Sequence, residues 1–408
     1  MYSAPVWGGR ARYHLLETVR QFASERLHDG GEEPVVARRH LDHFAALARA
    51  LAEKIHGPDQ LLVFEHLDQE LDNLRLAISL ASRAQPELAL ELAINLAWYW
   101  NVRGQYQEGI ELLQDLLAVL PTAIGLRAAG LAALGRLALN VADAPLSEAS
   151  LTQAIEAWRP GGNGVGLAHA LVSKAMLSIN LGRPRPATEA LLLEALAAAR
   201  RAGDAHETAQ ALLWLGVSAR NHGEHATGVH HGLQALELAR SSGDEWVLAM
   251  ALLILGGGEL MVGQLAQARA HLEESLERWQ ALNDPHNLAR TINRLGQVAL
   301  AEGHLDEAES YVARALSMPT AFPEALAVEA MAGVAGARAR YRLAARLLGA
   351  ASAMPSAVPS QVRPLEEQAW FAGAVKVLGE EALRADWDRG RRTRPAEAVR
   401  YALARDYR

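Results

Sequence analysis

The sequence predicts an all-α fold, a solenoid of paired helices, and three observations carry that prediction. Gly223, Gly263 and Gly303 lie 40 residues apart, with Gly182 preceding them by 41. Each has a small residue seven positions earlier (Ala175, Gly216, Gly256, Gly296) and another five positions later (Ala187, Gly228, Ala268, Ala308). The composition is that of helix formers, 50% apolar with only 5 Phe, and no run of alternating β-branched residues stands out. A fixed period of this length belongs to stacked repeats, which places function on an extended surface.

Taken from the start of the chain, Tyr13 to Leu27 reads as an amphipathic helix with Leu15, Leu16, Val19, Phe22, Ala23 and Leu27 on one face, and Gly30-Gly31 ends it. A second helix, roughly Val35 to Ile55, carries Leu41, Phe44, Ala45, Ala48 and Leu51 on its apolar side. Gly57-Pro58 breaks it.

The repeat unit itself can be derived residue by residue. Seven residues make about two helical turns, so each small residue and the glycine after it share one face of a first helix. The glycine tolerates the positive φ of a helix stop, and the next small residue opens a second helix. That second helix ends at Gly203-Asp204, Gly243-Asp244 or Asn283-Asp284, where Gly or Asn suits the left-handed C-terminal position and Asp suits the next N-cap. Fainter copies appear upstream at Val141-Ala142-Asp143 and at Ala97 and Gly104, and downstream at Ala332 and Ala339, so about seven units run from near residue 88 to near 352. From about Pro355 a helical pair is expected, with Gln368, Trp370, Val375 and Leu378 on one helix and Ala382, Leu383 and Trp387 on the next, closing the open apolar end of the array. Two helices per unit with small residues at these spacings resemble the tetratricopeptide repeat. The expected architecture is therefore a tetratricopeptide-like α-α superhelix over residues 58–352, preceded by a helical segment at 1–57 and followed by capping helices at 353–408.

A second resemblance rests on an ordered set of segments. The stretch Arg12-Tyr13-His14-Leu15-Leu16-Glu17-Thr18-Val19-Arg20-Gln21-Phe22-Ala23-Ser24-Glu25-Arg26-Leu27 is similar to the one that closes the winged-helix part of the NTPase module in bacterial STAND-type, LuxR-like transcription regulators. Arg38-Arg39-His40, then Leu67 to Ala77, then a helical array, then Ala344 to Ala351, Leu378 to Ala382, Trp387 to Arg391 and Pro395 to Val399 follow in that family's order. The resemblance implies a sensor arm, with residues 1–57 as the end of a winged-helix segment. It also implies an NTPase or DNA-binding module upstream or in trans.

The chain itself offers no nucleotide site. A phosphate-binding loop needs a lysine after a glycine-rich turn, and none of Lys54, Lys174 and Lys376 follows one. No catalytic constellation is recognisable, so no enzymatic activity and no cofactor are expected. Cysteine is absent, which removes disulfides and thiolate metal sites. The 15 His show no HExxH spacing, and no metal site is expected. A formal charge of −7 argues against a nucleic-acid binder, and the short run Arg389, Arg391, Arg392 and Arg394 reads as solvated. With neither a signal-peptide core nor a long apolar stretch, no membrane contact and a cytoplasmic location are the expectation.

The candidate ligand surface is the concave wall. Asn101, Asn140, Asn180 and Asn221 recur at intervals of 39, 40 and 41 at the ends of first helices, a ladder whose amides can bond a ligand backbone. The ladder fails later, where Met261 and Ala301 take the place. Arg136, Arg220, Arg290, Asn293 and Arg294 occupy neighbouring positions and suit carboxylate or phosphate groups. The same asparagines also read as helix-end capping residues, and Trp98-Tyr99-Trp100 as core with one ring free at most. The partner is expected to be a protein, a peptide or a small-molecule inducer. Two roles follow: a sensor arm that reports occupancy to an NTPase switch through hinges at Gly57-Pro58 and Pro160-Gly161-Gly162-Asn163-Gly164, or a free-standing scaffold that docks a partner peptide.

Overall fold

The computed structural model describes residues 2–4, 12–14, 16–119, 124–161, 163–318, 325–354 and 362–404. Leu15, Gly162 and Pro355, singled out above, lie outside them. Among the described residues the chain is all-α apart from one short ladder, β1 (Tyr2–Ala4) antiparallel to β2 (Arg12–His14). Here the structure differs from the expected helix beginning at Tyr13. Residues 12–14 pair with the chain's first residues, and α1 (Glu17–Asp29) starts only after Leu16, whose backbone is still extended. The apolar stripe of α1 is found where its spacing puts it, but Leu16, Val19 and Phe22 are exposed.

Helix α2 (Glu33–Ala52) buries Leu41, Ala45, Ala48 and Leu51 as the spacing requires. Helix α3 (Gln60–Ala84) packs on α2 and on α4 (Pro86–Arg103). From α4 to Ala353 the described residues form seven helix pairs: α4 with α5 (Tyr106–Val119), α6 (Ile124–Asn140) with α7 (Ala144–Trp158), α8 (Gly164–Asn180) with α9 (Arg185–Ala202), α10 (Ala205–Asn221) with α11 (His225–Ser242), α12 (Glu245–Met261) with α13 (Leu265–Leu282), α14 (Pro285–Glu302) with α15 (Leu305–Leu316), and α16 (Ala325–Ala337) with α17 (Tyr341–Ala353).

The small residues do what their spacing implies. A Cβ on Gly216 would meet the carbonyl oxygen of Gly228 at 3.0 Å, and one on Gly256 would meet the Ala268 carbonyl at 3.1 Å and Leu272 at 2.7 Å. The two helices of a pair thus approach until backbone touches backbone. First helices end on left-handed residues at Gly182, Gly223, Gly263 and Gly303, with φ between 62° and 83°, and second helices at Gly203, Gly243 and Asn283. Asp143, Asp204, Asp244 and Asp284 each cap the following helix by accepting a backbone N–H three residues on.

First helices of successive pairs contact one another directly, α4 on α6, α6 on α8, α8 on α10, α10 on α12, α12 on α14 and α14 on α16. They form the inner wall of the superhelix, and the second helices lie outside. Beyond α17 the described residues form, after a 3-10 turn at Leu365–Glu367, three α-helices rather than a pair, α18 (Phe371–Leu378), α19 (Glu380–Arg391) and α20 (Pro395–Leu403), and Gln368 and Trp370 precede α18 instead of lying on it. The break at Arg392 to Arg394 and Pro395 at the first helical position split off the last one. Helix α19 closes on α17 through Gly349 and Gly390, where any Cβ would collide with the opposing backbone. Buried Asp386 accepts from Arg342, Arg346 and Arg389, so one member of the basic run is paired.

The curvature is tight enough for the start of the array to touch its middle. Arg103, held by Asp68 at 2.7 Å, donates to the Leu282 carbonyl. Pro58 sits on Gly243, and Gln60 donates to Ile55 and accepts from the Trp246 backbone N–H at 2.8 Å. The Gly57-Pro58 turn, expected to be a free hinge, is instead pinned across the mouth of the superhelix. No helix among the described residues is long and apolar enough to cross a membrane.

Candidate functional site

The inner wall divides into two polar clusters and a ladder of rings. The first cluster gathers Asn101, Arg136 and Asn140. Asn140 Nδ2 donates to Asn101 Oδ1 at 2.8 Å, so the first two rungs of the asparagine ladder bond each other. Arg136 is 5% exposed, lies 5.9 Å above the Trp98 ring and has its Nη1 against the Met176 sulfur at 2.9 Å. No carboxylate pairs with it among the described residues, its Nε has no partner, and burial pushes its pKa down to about 10. Asn180 and Asn221 sit at the C-terminal ends of α8 and α10, half-buried and exposed respectively.

The second cluster brings together Arg220 from α10 with Arg290, Asn293 and Arg294 from α14. A Cβ built on Gly257 of the intervening helix α12 would lie 3.7 Å from Arg294 Nε and 3.9 Å from Arg220 Nη1. Glycine in a helix interior costs about 1 kcal/mol against alanine, and at Gly257 its missing side chain leaves room between two guanidiniums. Burial, then Arg294 and Arg290, press Arg220 down to about 10. Asn293 is 2% exposed and its Oδ1 has no hydrogen-bond partner. Asp284 acts on Arg290, Glu329 acts on Arg294, and Arg220 Nη1 donates to the Ile254 carbonyl at 3.0 Å, so the cluster is a concentration of positive charge with carboxylates at its edge.

The ladder of rings was missed by sequence reasoning. Two residues after each of Asp204, Asp244 and Asp284 stands a ring, His206, Trp246 or His286. The first two reach forward to the capping aspartate of the next repeat: His206 Nδ1 lies 2.6 Å from Asp244 Oδ2, and Trp246 Nε1 donates to Asp284 Oδ2 at 3.3 Å. The 40-residue recurrence of an aspartate followed by a ring was the signal that would have found it. Against this ladder pack Trp98, 5.0 Å from Trp246, and His56, whose ring centroid is 3.7 Å from that of His206. Trp98 is therefore part of the wall, while Trp100 and Trp279 are fully buried core.

The ladder's electrostatics are uneven. Burial works to raise Asp244, but His206 overcomes it and holds the carboxyl at about 2. Asp284, with an indole in place of an imidazole, is carried by burial up to about 6 against hydrogen bonds from Asn287 and Trp246. Burial opposes a charge on His206, yet Asp244 leaves it raised. His56 has accessible surface, but its position inside the mouth, then His206, press it down to about 3.

Comparisons with known proteins agree with this architecture. The tetratricopeptide repeat profile matches residues 246–321. A candidate HTH-type transcriptional regulator of Mycobacterium tuberculosis, Rv0890c, is 34% identical over 220 residues, covering 51% of this chain and 24% of that protein. The chain thus spans about a quarter of the length of the curated relatives it matches. Among solved structures, a Rap protein complexed with Competence and Sporulation Factor aligns at a TM-score of 0.51 and 13% identity, covering 86% of this chain and 89% of that one. A chain of the APC/C hetero-tetramer Cut9-Hcn1 aligns at 0.50 and 15% identity, covering 82% of this chain and 60% of that one. Sequence profile and fold together establish that the chain carries a tetratricopeptide-type helical repeat region.

Proposed function

We propose that this chain is the sensor arm of a multidomain bacterial transcription regulator, and that its inner wall captures an anionic segment of a protein or peptide, or an anionic inducer. The observation that carries the reading is the convergence of Arg220 and Arg294 at Gly257, with Arg290 close enough to act on Arg220 and the buried Arg136, which makes no ion pair among the described residues, further along the same wall. A buried guanidinium gains most from a bidentate anion, because water no longer competes for its donors. Similarity to an HTH-type regulator over half of the chain supports the regulatory context, and the Rap protein, of similar fold, is complexed with Competence and Sporulation Factor. Asn101, Asn140, Asn180 and Asn221 would then bond the main chain of an extended ligand, and Asn293 Oδ1 would accept one of its N–H groups.

The exposed apolar residues Leu16, just before α1, and Val19 and Phe22 on it offer a surface for the switch module that such an arm reports to. A ligand can move that switch only by differential affinity for two arrangements of the array. The test is native mass spectrometry of the chain against pools of acidic, neutral and basic peptides. Capture of acidic peptides, lost in Arg220→Gln with Arg294→Gln, is the expected result. Equal retention of all three pools, or capture unchanged in the double variant, sinks the reading.

A further inference from the structure

We propose that His56, His206 and Asp244 form a binding site for a divalent transition metal, zinc in the first instance, that clasps the α2–α3 turn to the inside of the superhelix. The three come from separate segments: the turn after α2, the N-terminus of α10 and the cap of α12. One ligand atom from each lies within 4.8 Å of the other two. Two imidazoles and a carboxylate are a donor set that zinc accepts, with a water or another oxygen in the fourth position.

Independent observations around the trio point the same way. Neither ring nitrogen of His56 has a hydrogen-bond partner among the described residues, although the ring is held between Trp98, at 4.9 Å, and His206, at 3.7 Å. Beside it, Gln210 places its amide Nε2 3.1 Å from His206 Nε2, while its own buried Oε1 has no partner. Turning that amide by 180° presents Oε1 to His206 Nε2–H and satisfies the orphaned oxygen. With Nε2–H held by that oxygen, a metal can displace the Nδ1 proton that His206 shares with Asp244. Such an Nε2–H bond is the outer-shell contact that metal-bound histidines ordinarily make. Glu207, 4% exposed, adds a buried carboxylate oxygen, Oε2, with no partner, and its charge is felt by both His56 and His206.

Occupancy requires small movements. Zinc holds nitrogen and oxygen at about 2.0–2.2 Å and spreads tetrahedral donors well beyond the 2.6 Å contact between His206 and Asp244, so that contact must open and His56 must close on the ion. His56 lies on the α2–α3 turn with its side chain exposed. Asp244 Oδ1 keeps capping the Val247 N–H, leaving Oδ2 for the ion.

The experiment is a titration of the chelator-stripped chain with Co2+, followed by visible d–d absorption, and with Zn2+, followed by calorimetry. His56→Ala and Asp244→Asn, which keeps a cap acceptor, are compared with His304→Ala, which dismantles the exposed group Glu302, His304 and Glu307. One equivalent is expected in the wild type and in His304→Ala, weakened roughly a hundredfold in the other two, the upper end of what losing even an outer-shell partner costs. Zinc should also slow hydrogen exchange at residues 53–59 in the wild type only. No binding by the wild type, binding untouched in both His56→Ala and Asp244→Asn, or loss in His304→Ala overturns the proposal, as does metal capture without protection of that turn. Should either substitution unfold the chain by circular dichroism, the other variant and the exchange measurement decide.

Discussion

The turn before α12 and the turn before α14 are built to one template and behave differently. Both put a left-handed residue, Gly243 or Asn283, before an aspartate that caps the next helix, and both receive a ring N–H from the preceding repeat or its mouth-side neighbour. The donor to Asp244 is an imidazole that can carry charge. The donor to Asp284 is an indole that cannot. One carboxyl is held at about 2 and the other drifts to about 6, so a single ring identity decides whether a buried aspartate stabilises the fold or strains it. Only the first of the two turns also receives the α2–α3 turn, through Pro58 and Gln60.

The comparison can be broken most severely at Asp244. Asp244→Ala leaves His206 buried without its counter-charge and removes a cap, an expected loss of about 3–5 kcal/mol. Asp284→Ala should lose only about 1 kcal/mol of capping, with part of that returned by removing a strained charge. Urea denaturation of both variants at pH 7 checks the ratio, and equal losses would mean that His206 contributes nothing to the difference. Next in size is Gly243→Ala. A methyl there meets Pro58 Cα at 2.9 Å on a backbone with φ of 71°, and the expected cost is about 2 kcal/mol. Faster hydrogen exchange at residues 53–60 should accompany it.

A pH experiment sharpens the contrast further. Asp284 has a folded pKa above its unfolded value, so its favourable protonated contribution is fully present below about 4 and is lost as pH rises through 6. Asp284→Asn retains the cap and should therefore stabilise the protein at pH 7, by on the order of 1–3 kcal/mol, and give no gain at pH 4. Asp244 runs the other way: its contribution is present above about 4 and disappears as pH falls through 2. Parallel melting curves for the two Asn variants across this range would remove the asymmetry. The smallest effect belongs to Asn283→Gly, which relaxes a φ of 51° and should shift stability by about 0.5 kcal/mol or less.

How much of this was legible in the sequence depends on the range of the contacts. Helix pairs, left-handed stops, aspartate caps and the close contacts at Gly216 and Gly256 are local, and a 40-residue period of small residues reports them directly. The grouping of Arg220 with Arg290 and Arg294 was half legible, since all three were placed on one wall, but the meeting of Arg220 and Arg294 over Gly257 was not. The pinning of Gln60 to Trp246 and of Arg103 to Leu282 was invisible. Such contacts depend on small rotations between repeats that accumulate over some 180 residues, and no pairwise spacing records them. The β1–β2 ladder was missed because the apolar stripe of α1 says where a helix face lies and not where the helix begins.

A solenoid whose units touch only their neighbours can fray from either tip like an open zipper, each unit leaving on its own account. The bond from Arg103 to the Leu282 carbonyl joins the first pair to the fifth and turns that stretch into a hoop. Losing the opening helices then also uncovers the middle, so pairs one to five should melt as one block while the units after α14 retain their independence.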